Sequence, residues 1–174
     1  MIQPGDIFCS CAQDLKSDII LRTTAWNSID KDARFSHSGF ITTKNGDTFE
    51  SRRRIGCYHI NDYIDQPLII GRNKLMTPEK FGAAYQDIFK EHNGDLYPLW
   101  RLLLFTIPPL ARRIGTGKFA VCSELTIKMM VKAKVHYNAG WRGWSPDDVA
   151  DMILRDRDYA IIHLGTATER ICHV

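Results

Sequence analysis

A histidine and a cysteine stand about 85 residues apart in this chain, and together they have the chemistry of acyl transfer. His37 lies in the segment SHSGFI, and Cys122 lies in the segment VCSEL. A thiolate can attack a carbonyl carbon, and an imidazole can take the thiol proton and later pass it to the leaving group. We therefore interpret Cys122 as a candidate nucleophile and His37 as its candidate base.

Cys122 stands where a strand-like segment changes into a predicted helix. Residues 118–121 favour a strand, and apolar residues recur every four positions in a helix predicted from Ser123 to about Val135. Backbone N–H groups and the positive end of the helix dipole stabilise a thiolate at such a junction, and the N–H groups can hold an oxyanion. We assign Ser123 to this oxyanion and cleft region. The alternative is that Cys122 is a small buried core residue.

His37 falls in a segment with the alternation of a β-strand, from Phe35 to Ile41. The alternation puts His37 and Gly39 on one face and Phe40 on the other. Because Gly39 has no side chain, a helix end or a substrate could approach this face closely, so we assign Gly39 to the cleft as well. The alternative is a half-buried structural histidine.

Glu50 is the candidate third residue. Residues 43–46 carry a turn signal, and a returning strand follows from Asp47. A four-residue loop puts Glu50 opposite Gly39 and diagonal to His37, at about 7 Å, where its carboxylate can orient the imidazole. A two-residue turn puts it opposite Ile41 instead. The alternative role is a solvated carboxylate paired with a following arginine.

Two further features bear on the substrate. Alternation along the strand puts Arg52 and Arg54 on the face of Glu50, where guanidinium groups could bind a carboxylate or phosphate. Solvated edge residues, or partners for Glu50, are the alternative. The apolar segment Tyr97–Leu110 could receive an acyl tail, with ordinary core packing as the alternative.

These segments, in this order, resemble the permuted NlpC-type papain-fold hydrolases, and most closely the YiiX/YaeF-like bacterial branch. Papain itself has its cysteine before its histidine, whereas the permuted enzymes have the order found here. The similarity extends from Gly5 to about Asp148. The segments that carry it are GDIF at residue 5, the stretch Asp18–Trp26, SHSGFI, Glu50 and VCSEL.

The resemblance implies an α+β fold in which a small antiparallel sheet or barrel packs against helices. It implies Cys122 as nucleophile, His37 as base and Glu50 as the residue that orients the base. The implied activity is hydrolysis of an amide (peptide, N-acyl or cell-wall type) or an ester through a thioester. The alternatives are a phospholipid or lipid esterase, an acyltransferase, or a non-catalytic ligand-binding protein of the same fold. Acyltransferases of the lecithin–retinol type have Asn-Cys-Glu-His-Phe around the cysteine, so VCSEL favours the bacterial branch.

Composition is consistent with one enzyme domain over residues 1–174. Hydrophobic residues make up 44% and charged residues 25%, and the net charge of +3 is too small to indicate nucleic-acid binding. We expect a small-molecule, peptide or lipid substrate, with peripheral lipid contact as an option. The longest apolar cluster, Leu99–Leu110, is too short for a membrane span, and no signal peptide is visible, so we expect a cytoplasmic location.

The five cysteines form no CxxC pair and have no zinc-like spacing with the histidines. We therefore expect reduced thiols, no metal and no cofactor. The remaining pattern predicts a set of short elements. They are strands at 6–10, 56–60, 68–72 and 159–164, a hairpin at 35–53, and helices at 17–27, 77–92 and 145–155.

Overall fold

The computed structural model describes residues 1–11, 21, 33–96, 121–136 and 140–166. Within these ranges the chain forms six strands, three α-helices and a short 3-10 helix. They are β1 (Ile7–Ser10), β2 (His37–Ile41), β3 (Asp47–Ser51), β4 (Ile55–His59), the 3-10 helix (Ile60–Tyr63), β5 (Pro67–Asn73), α1 (Pro78–His92), α2 (Cys122–Lys132), α3 (Pro146–Arg155) and β6 (Tyr159–Thr166). The predicted α+β class is confirmed.

The strands form one antiparallel sheet in the order β4-β3-β2-β1-β5-β6. The short strand β1 lies near the middle of the sheet, where Phe8 pairs with Gly39 of β2 on one side and with Ile70 of β5 on the other. Successive side chains of a strand point to opposite faces, so β1 divides its residues between two cores. Ile7 and Cys9 point toward the helices, and Phe8 points away from them.

The two cores lie on the two faces of this sheet. The larger one packs sheet residues such as Phe40 and Phe49 against α1, α2 and α3. The smaller one surrounds Phe8 and includes Tyr63 of the 3-10 helix. The chain that follows β4 therefore covers the second face of the sheet close to the start of β2.

The β2–β3 hairpin has the four-residue loop that was one of the two sequence predictions. The Thr42 N–H donates to the Asp47 carbonyl at 2.7 Å, and Gly46 has φ +97°, a conformation that favours glycine. Glu50 therefore pairs with Gly39, as predicted for this loop, and the alternative register opposite Ile41 is wrong. Phe40 points to the opposite face from Gly39, into the helix-side core.

Helices α1 and α3 begin as predicted. Thr77 accepts a hydrogen bond from the Lys80 N–H at 3.3 Å, and Ser145 accepts one from the Asp148 N–H at 3.1 Å. A proline follows each cap at the first helical position, where its missing N–H costs nothing. Each helix thus has a local signal that sequence reasoning can use.

Helix α2 begins one residue earlier than predicted, at Cys122, and ends at Lys132 instead of near Val135. The earlier end has a backbone cause, because Lys134 adopts the left-handed conformation with φ +56°. The Val135 N–H then bonds to the Met130 carbonyl at 3.1 Å and closes the helix. Cys122 therefore occupies the first helical position.

Several predictions fall outside the described residues. They are most of the helix at 17–27, the strand-like residues 118–120 and the apolar segment Tyr97–Leu110. The assignment of residues 1–174 to one domain stays a prediction. Among the helices in the described ranges, none has the length and apolar character needed to span a membrane.

Candidate active site

The carboxylate of Glu50 is fully buried and is surrounded by hydrogen-bond donors. Thr48 donates its hydroxyl to Oε1 at 2.6 Å. The other oxygen, Oε2, lies 2.5 Å from Nε2 of His37 and 3.1 Å from Nε of Arg52, and it also accepts the hydroxyl hydrogen of Tyr63. Both carboxylate oxygens therefore have partners within the protein.

These partners determine the charge of Glu50. Burial alone would raise its pKa. The hydrogen bond and charge of His37, followed by Arg52 and Thr48, outweigh burial and lower the pKa to about 2. Glu50 is consequently an ionised carboxylate at neutral pH, although no part of it reaches solvent.

His37 is the first residue of β2, and it lies between Glu50 and Cys122. Burial lowers the pKa of its ring, but a side-chain hydrogen bond and charge interaction with Cys122, and then with Glu50, raise it to about 10. The ring is therefore doubly protonated at neutral pH. Because Nε2 faces Glu50, the other nitrogen, Nδ1, is the one left for Cys122.

Helix packing brings Cys122 to this imidazole. Helix α2 packs on β2 and β3, where the Thr126 and Ser38 hydroxyls lie 3.4 Å apart. Thr126 also donates to the carbonyl of Cys122 at 3.0 Å, within the same helical turn. Cys122 has only 2% of its surface exposed and stands at the positive end of the helix dipole. The structure thus brings Cys122, His37 and Glu50 into one cluster.

The first turn of α2 is fastened to the loop that precedes α3. Ser123 donates its hydroxyl to the Trp144 carbonyl at 2.5 Å, and the buried carboxylate of Glu124 accepts the Gly143 N–H at 2.9 Å. The Ser123 side chain, which the sequence assigned to the oxyanion region, therefore serves as an anchor for this loop. The backbone N–H of Cys122 is the remaining oxyanion donor of that prediction.

Gly39, which the sequence assigned to the cleft, is closely packed by side chains of the protein. A Cβ atom built on it would lie 2.8 Å from the Phe8 ring and 2.9 Å from Cβ of Glu50. The close neighbours that require a glycine here are therefore side chains of the protein. The absence of a side chain at Gly39 lets the Phe8 ring and Glu50 pack closely over this position of β2.

The two arginines assigned to substrate binding have partners within the protein. Arg52 donates to Glu50, forms an ion pair with Asp62 at 2.9 Å, and stacks over the Tyr58 ring. Partnership with Glu50 was the stated alternative. Arg54 instead donates to the Gly94 carbonyl at 3.0 Å. Strand alternation does not reach Arg54, because β3 ends at Ser51 and the chain then bends.

Tyr63 belongs to the cluster, although sequence analysis did not single it out. Its ring lies 5.7 Å from the His37 ring at an interplanar angle of 22°, so the two are stacked. Burial, followed by the charge of Glu50, raises the pKa of Tyr63 well above its ordinary value, so the phenol stays protonated and donates to Glu50. No local pattern identifies this residue, because it reaches Glu50 only after the chain has crossed from β4 to the 3-10 helix.

Cys9 is a second thiol beside the cluster. It is buried on the helix side of β1, and its sulfur donates to the Pro146 carbonyl at 3.4 Å. Burial, then the charges of Cys122 and Asp147, raise its pKa well above the ordinary value. Cys9 therefore remains a protonated thiol, whereas Cys122 lies next to the imidazolium.

A cavity of about 990 Å³ lies between the loop at residues 140–144 and α3. Its lining includes Trp144 and Gly143, the two residues that bind the first turn of α2. Asp151 and Arg155 of α3 contribute charged groups of both signs. The cavity thus lies near the N-terminal end of α2, the helix that carries Cys122.

Comparison with known proteins yields a fold but no family. No protein-family profile matches the chain, and no curated protein matches it significantly. A crystal structure described as the metalloprotein yiiX from Escherichia coli O157:H7 matches with a TM-score of 0.53 and 15% sequence identity. The match covers 94% of this chain and 98% of that one. The chain therefore has a YiiX-like α+β fold.

The yiiX structure is described as a metalloprotein, so the fit of a metal ion to the side chains of this chain is relevant. Within the described ranges, no group of three or more His, Cys, Asp or Glu side chains is arranged to hold a metal ion. In the cluster itself, protein donors already bind both oxygens of Glu50, and Nε2 of His37 is bonded to that carboxylate. These side chains do not fit a metal-binding role.

Proposed function

We propose that this protein is a cysteine hydrolase of the permuted papain-like type, which cleaves an amide or ester bond through a thioester on Cys122. The observation that carries the proposal is the interaction of Cys122 with His37, whose other ring nitrogen is held by the buried carboxylate of Glu50. Side chains that form such a relay supply a nucleophile, an acid–base group and a group that orients it.

In the proposed reaction Cys122 attacks as a thiolate, and His37 holds the proton as an imidazolium. The thiolate attacks the carbonyl carbon, and the oxyanion that forms is held by the backbone N–H of Cys122 at the start of α2. The carbon–nitrogen or carbon–oxygen bond then breaks, and the leaving group takes the proton from His37. The products of this half-reaction are a thioester and a free amine or alcohol.

Hydrolysis of the thioester uses the same groups in reverse. Neutral His37 takes a proton from water, and the resulting hydroxide attacks the thioester carbonyl. Collapse of the intermediate breaks the carbon–sulfur bond, releases the carboxylic acid and restores the thiolate beside the imidazolium. Glu50 remains ionised throughout, stabilises the imidazolium and directs Nδ1 of the ring toward the sulfur.

The chain order supports the permuted assignment. His37 and Glu50 lie on adjacent strands, and Cys122 follows on the helix that packs against them. The cavity near the first turn of α2 is the candidate substrate-binding region of this proposal, and its mixed charges favour a polar group such as a peptide or N-acyl amide. A lipid ester is the second substrate class, and the chosen substrates must separate the two.

A substrate panel tests this proposal. The protein and the Cys122→Ala variant are each incubated with four kinds of substrate: N-acyl amino acids, short peptides, p-nitrophenyl acetate and phospholipid vesicles. We expect turnover of at least one amide or ester, and its loss by about 10⁴-fold in the variant. Turnover that survives Cys122→Ala contradicts the proposal.

A second measurement identifies a non-catalytic binding protein. Alkylation by iodoacetamide is followed at Cys122 by peptide mass spectrometry, in a Cys57→Ser background that removes an exposed thiol. Because Cys122 is almost fully buried, rapid alkylation reflects activation of the sulfur and not exposure. We expect it to react faster than free cysteine at pH 6, and His37→Ala to abolish the difference. A rate no faster than that of free cysteine indicates a binding protein.

A further inference from the structure

We propose that Tyr63 is a positioning residue of this site, which holds the Glu50 carboxylate and the His37 ring in the orientation that directs the imidazole at Cys122. This inference rests on the proposed function, since it assigns a role within the same site. Its carrying observation is that one side chain contacts both members of the pair: the hydroxyl of Tyr63 donates to Glu50, and its ring stacks on His37.

The Tyr63 hydroxyl donates to Oε2 of Glu50, the same carboxylate oxygen that bonds to His37. Oε2 also accepts a hydrogen bond from Arg52, whereas Oε1 accepts one from Thr48. Two fixed donors beside His37 leave Oε2 little freedom to move away from Nε2. They also draw electron density from the carboxylate, so the shared proton stays on the imidazole.

The ring contact restrains the other partner. The nearly parallel Tyr63 ring covers one face of the imidazole, and the Phe8 ring lies 6.2 Å from the imidazole centroid. Phe8 and Tyr63 also contact each other, with centroids 5.2 Å apart. Rotation of the His37 ring would have to displace one of these buried rings. Tyr63 itself is only 4% exposed, so its ring is a buried neighbour of the imidazole.

Arg52 helps to hold Tyr63 in place. Its guanidinium lies over the Tyr63 ring at 5.0 Å and over the Tyr58 ring at 4.3 Å, and it is paired with Asp62. Asp62 and Tyr63 both belong to the 3-10 helix, so this short element is fastened to the site through Arg52 and Glu50. The geometry therefore gives the 3-10 helix a role in the active site and not only in covering the sheet.

The substitution Tyr63→Phe removes the hydroxyl and keeps the stacked ring. Tyr58→Phe is a matched control, because the Tyr58 ring lies beside the same Arg52 guanidinium. The Tyr58 hydroxyl donates to the Arg54 carbonyl and not to Glu50. Three quantities are measured in both variants: the ¹⁵N and ¹H shifts of the His37 Nε2–H group, the rate of alkylation of Cys122, and kcat and KM on any substrate found.

We expect Tyr63→Phe to shift the His37 Nε2–H resonance and to slow alkylation of Cys122 by about 10-fold. If a substrate is known, kcat falls by a similar factor while KM stays unchanged. Tyr58→Phe should leave all three readouts at their wild-type values. The positioning role is overturned if the His37 signal and the alkylation rate of Tyr63→Phe match those of Tyr58→Phe, including the case in which only thermal stability falls.

The readouts separate this inference from the proposed function. The NMR signal reports the contact between His37 and Glu50 in a protein that has no substrate, so it tests Tyr63 even if no hydrolysis is found. Failure of the hydrolase proposal gives a wild-type protein without turnover but with a shifted signal in Tyr63→Phe. Failure of the Tyr63 inference gives an unshifted signal in a protein with normal turnover.

Discussion

Nε2 of His37 lies 2.5 Å from Oε2 of the fully buried Glu50, across the β2–β3 ladder. This contact joins the candidate base to a carboxylate whose remaining sites are filled by other donors. Cys122 lies beyond the imidazole, and Arg52 and Asp62 lie beyond the carboxylate. The side chains of His37, Glu50, Arg52 and Asp62 therefore alternate in charge between the start of β2 and the 3-10 helix.

The first prediction concerns Glu50→Gln. The substitution keeps the shape of the side chain but removes its charge, which leaves the partly exposed His37 and Arg52 cations without their partner. Loss of one member of a fully buried ion pair costs about 3–5 kcal/mol, and solvent reaches both cations here, so we expect a smaller fall of about 1–3 kcal/mol in the free energy of unfolding, measured with urea. Glu79→Gln, at an exposed position in the first turn of α1, is the control. Equal unfolding curves for the two variants would contradict the buried network.

The second prediction concerns pH. The pKa of His37 is raised to about 10, so its contribution to stability is complete below its unfolded value of about 6.5 and is lost as pH rises toward about 10. The pKa of Glu50 is lowered to about 2, so its contribution is complete above about 4.5 and is lost as pH falls toward about 2. The pair therefore contributes most between about pH 4.5 and 6.5.

Thermal unfolding from pH 3 to 10 checks this window in the wild type and in the double variant His37→Gln/Glu50→Gln. Subtracting the two profiles isolates the pair from the other titrating groups. We expect the difference in melting temperature to be largest between about pH 4.5 and 6.5 and to narrow on both sides. A difference that grows from pH 7 to 10 has the opposite sign and would show that the imidazole is neutral in the folded protein.

The third prediction concerns Gly39→Ala. The new methyl group meets the Phe8 ring at 2.8 Å and Cβ of Glu50 at 2.9 Å, so these groups must move. Overpacking of this kind costs about 1–3 kcal/mol, and displacement of Glu50 should also slow alkylation of Cys122. Gly82→Ala in α1 is the matched control, because a Cβ there meets no atom within 4 Å. Equal stability of the two variants would mean that the sheet accommodates the methyl group.

The fourth prediction concerns the cavity beside α2. Gly140 lines it, and a Cβ at this position meets no atom within 4 Å, so Gly140→Trp can place bulk at the cavity without a backbone clash. We expect KM for the substrate to rise about 10-fold, which corresponds to about 1.4 kcal/mol of binding, with little change in kcat. Gly82→Trp supplies the same bulk on α1. An unchanged KM for Gly140→Trp would exclude this cavity as the substrate path.

Local patterns predicted the elements that position His37 and Glu50. Alternation along β2 and β3, together with a turn at residues 43–46, put Glu50 on the face of His37 and opposite either Gly39 or Ile41, because side chains of paired strands face each other at fixed spacing. The four-residue loop of the structure selects Gly39. The starts of α1 and α3 were equally readable from their caps and prolines. In each case the decisive interaction lies within a few residues along the chain.

Interactions between distant segments were harder to predict. Tyr63 reaches Glu50 from another element, and Ser123 is anchored by the Trp144 carbonyl, 21 residues away. Arg54 lies outside the cluster because the chain bends after Ser51, and alternation holds only within a strand. Such contacts depend on how loops return to the sheet, which no periodic pattern encodes.

The most direct measurement is the mass of the intact protein after rapid mixing with p-nitrophenyl acetate and quenching in acid. We expect an adduct equal to one acetyl group, located on Cys122 by peptide mapping and absent from Cys122→Ser. In His37→Ala the adduct should form at least 100-fold more slowly. Acetylation of Cys57 or of lysines alone, with Cys122 unmodified at every time point, would contradict the account.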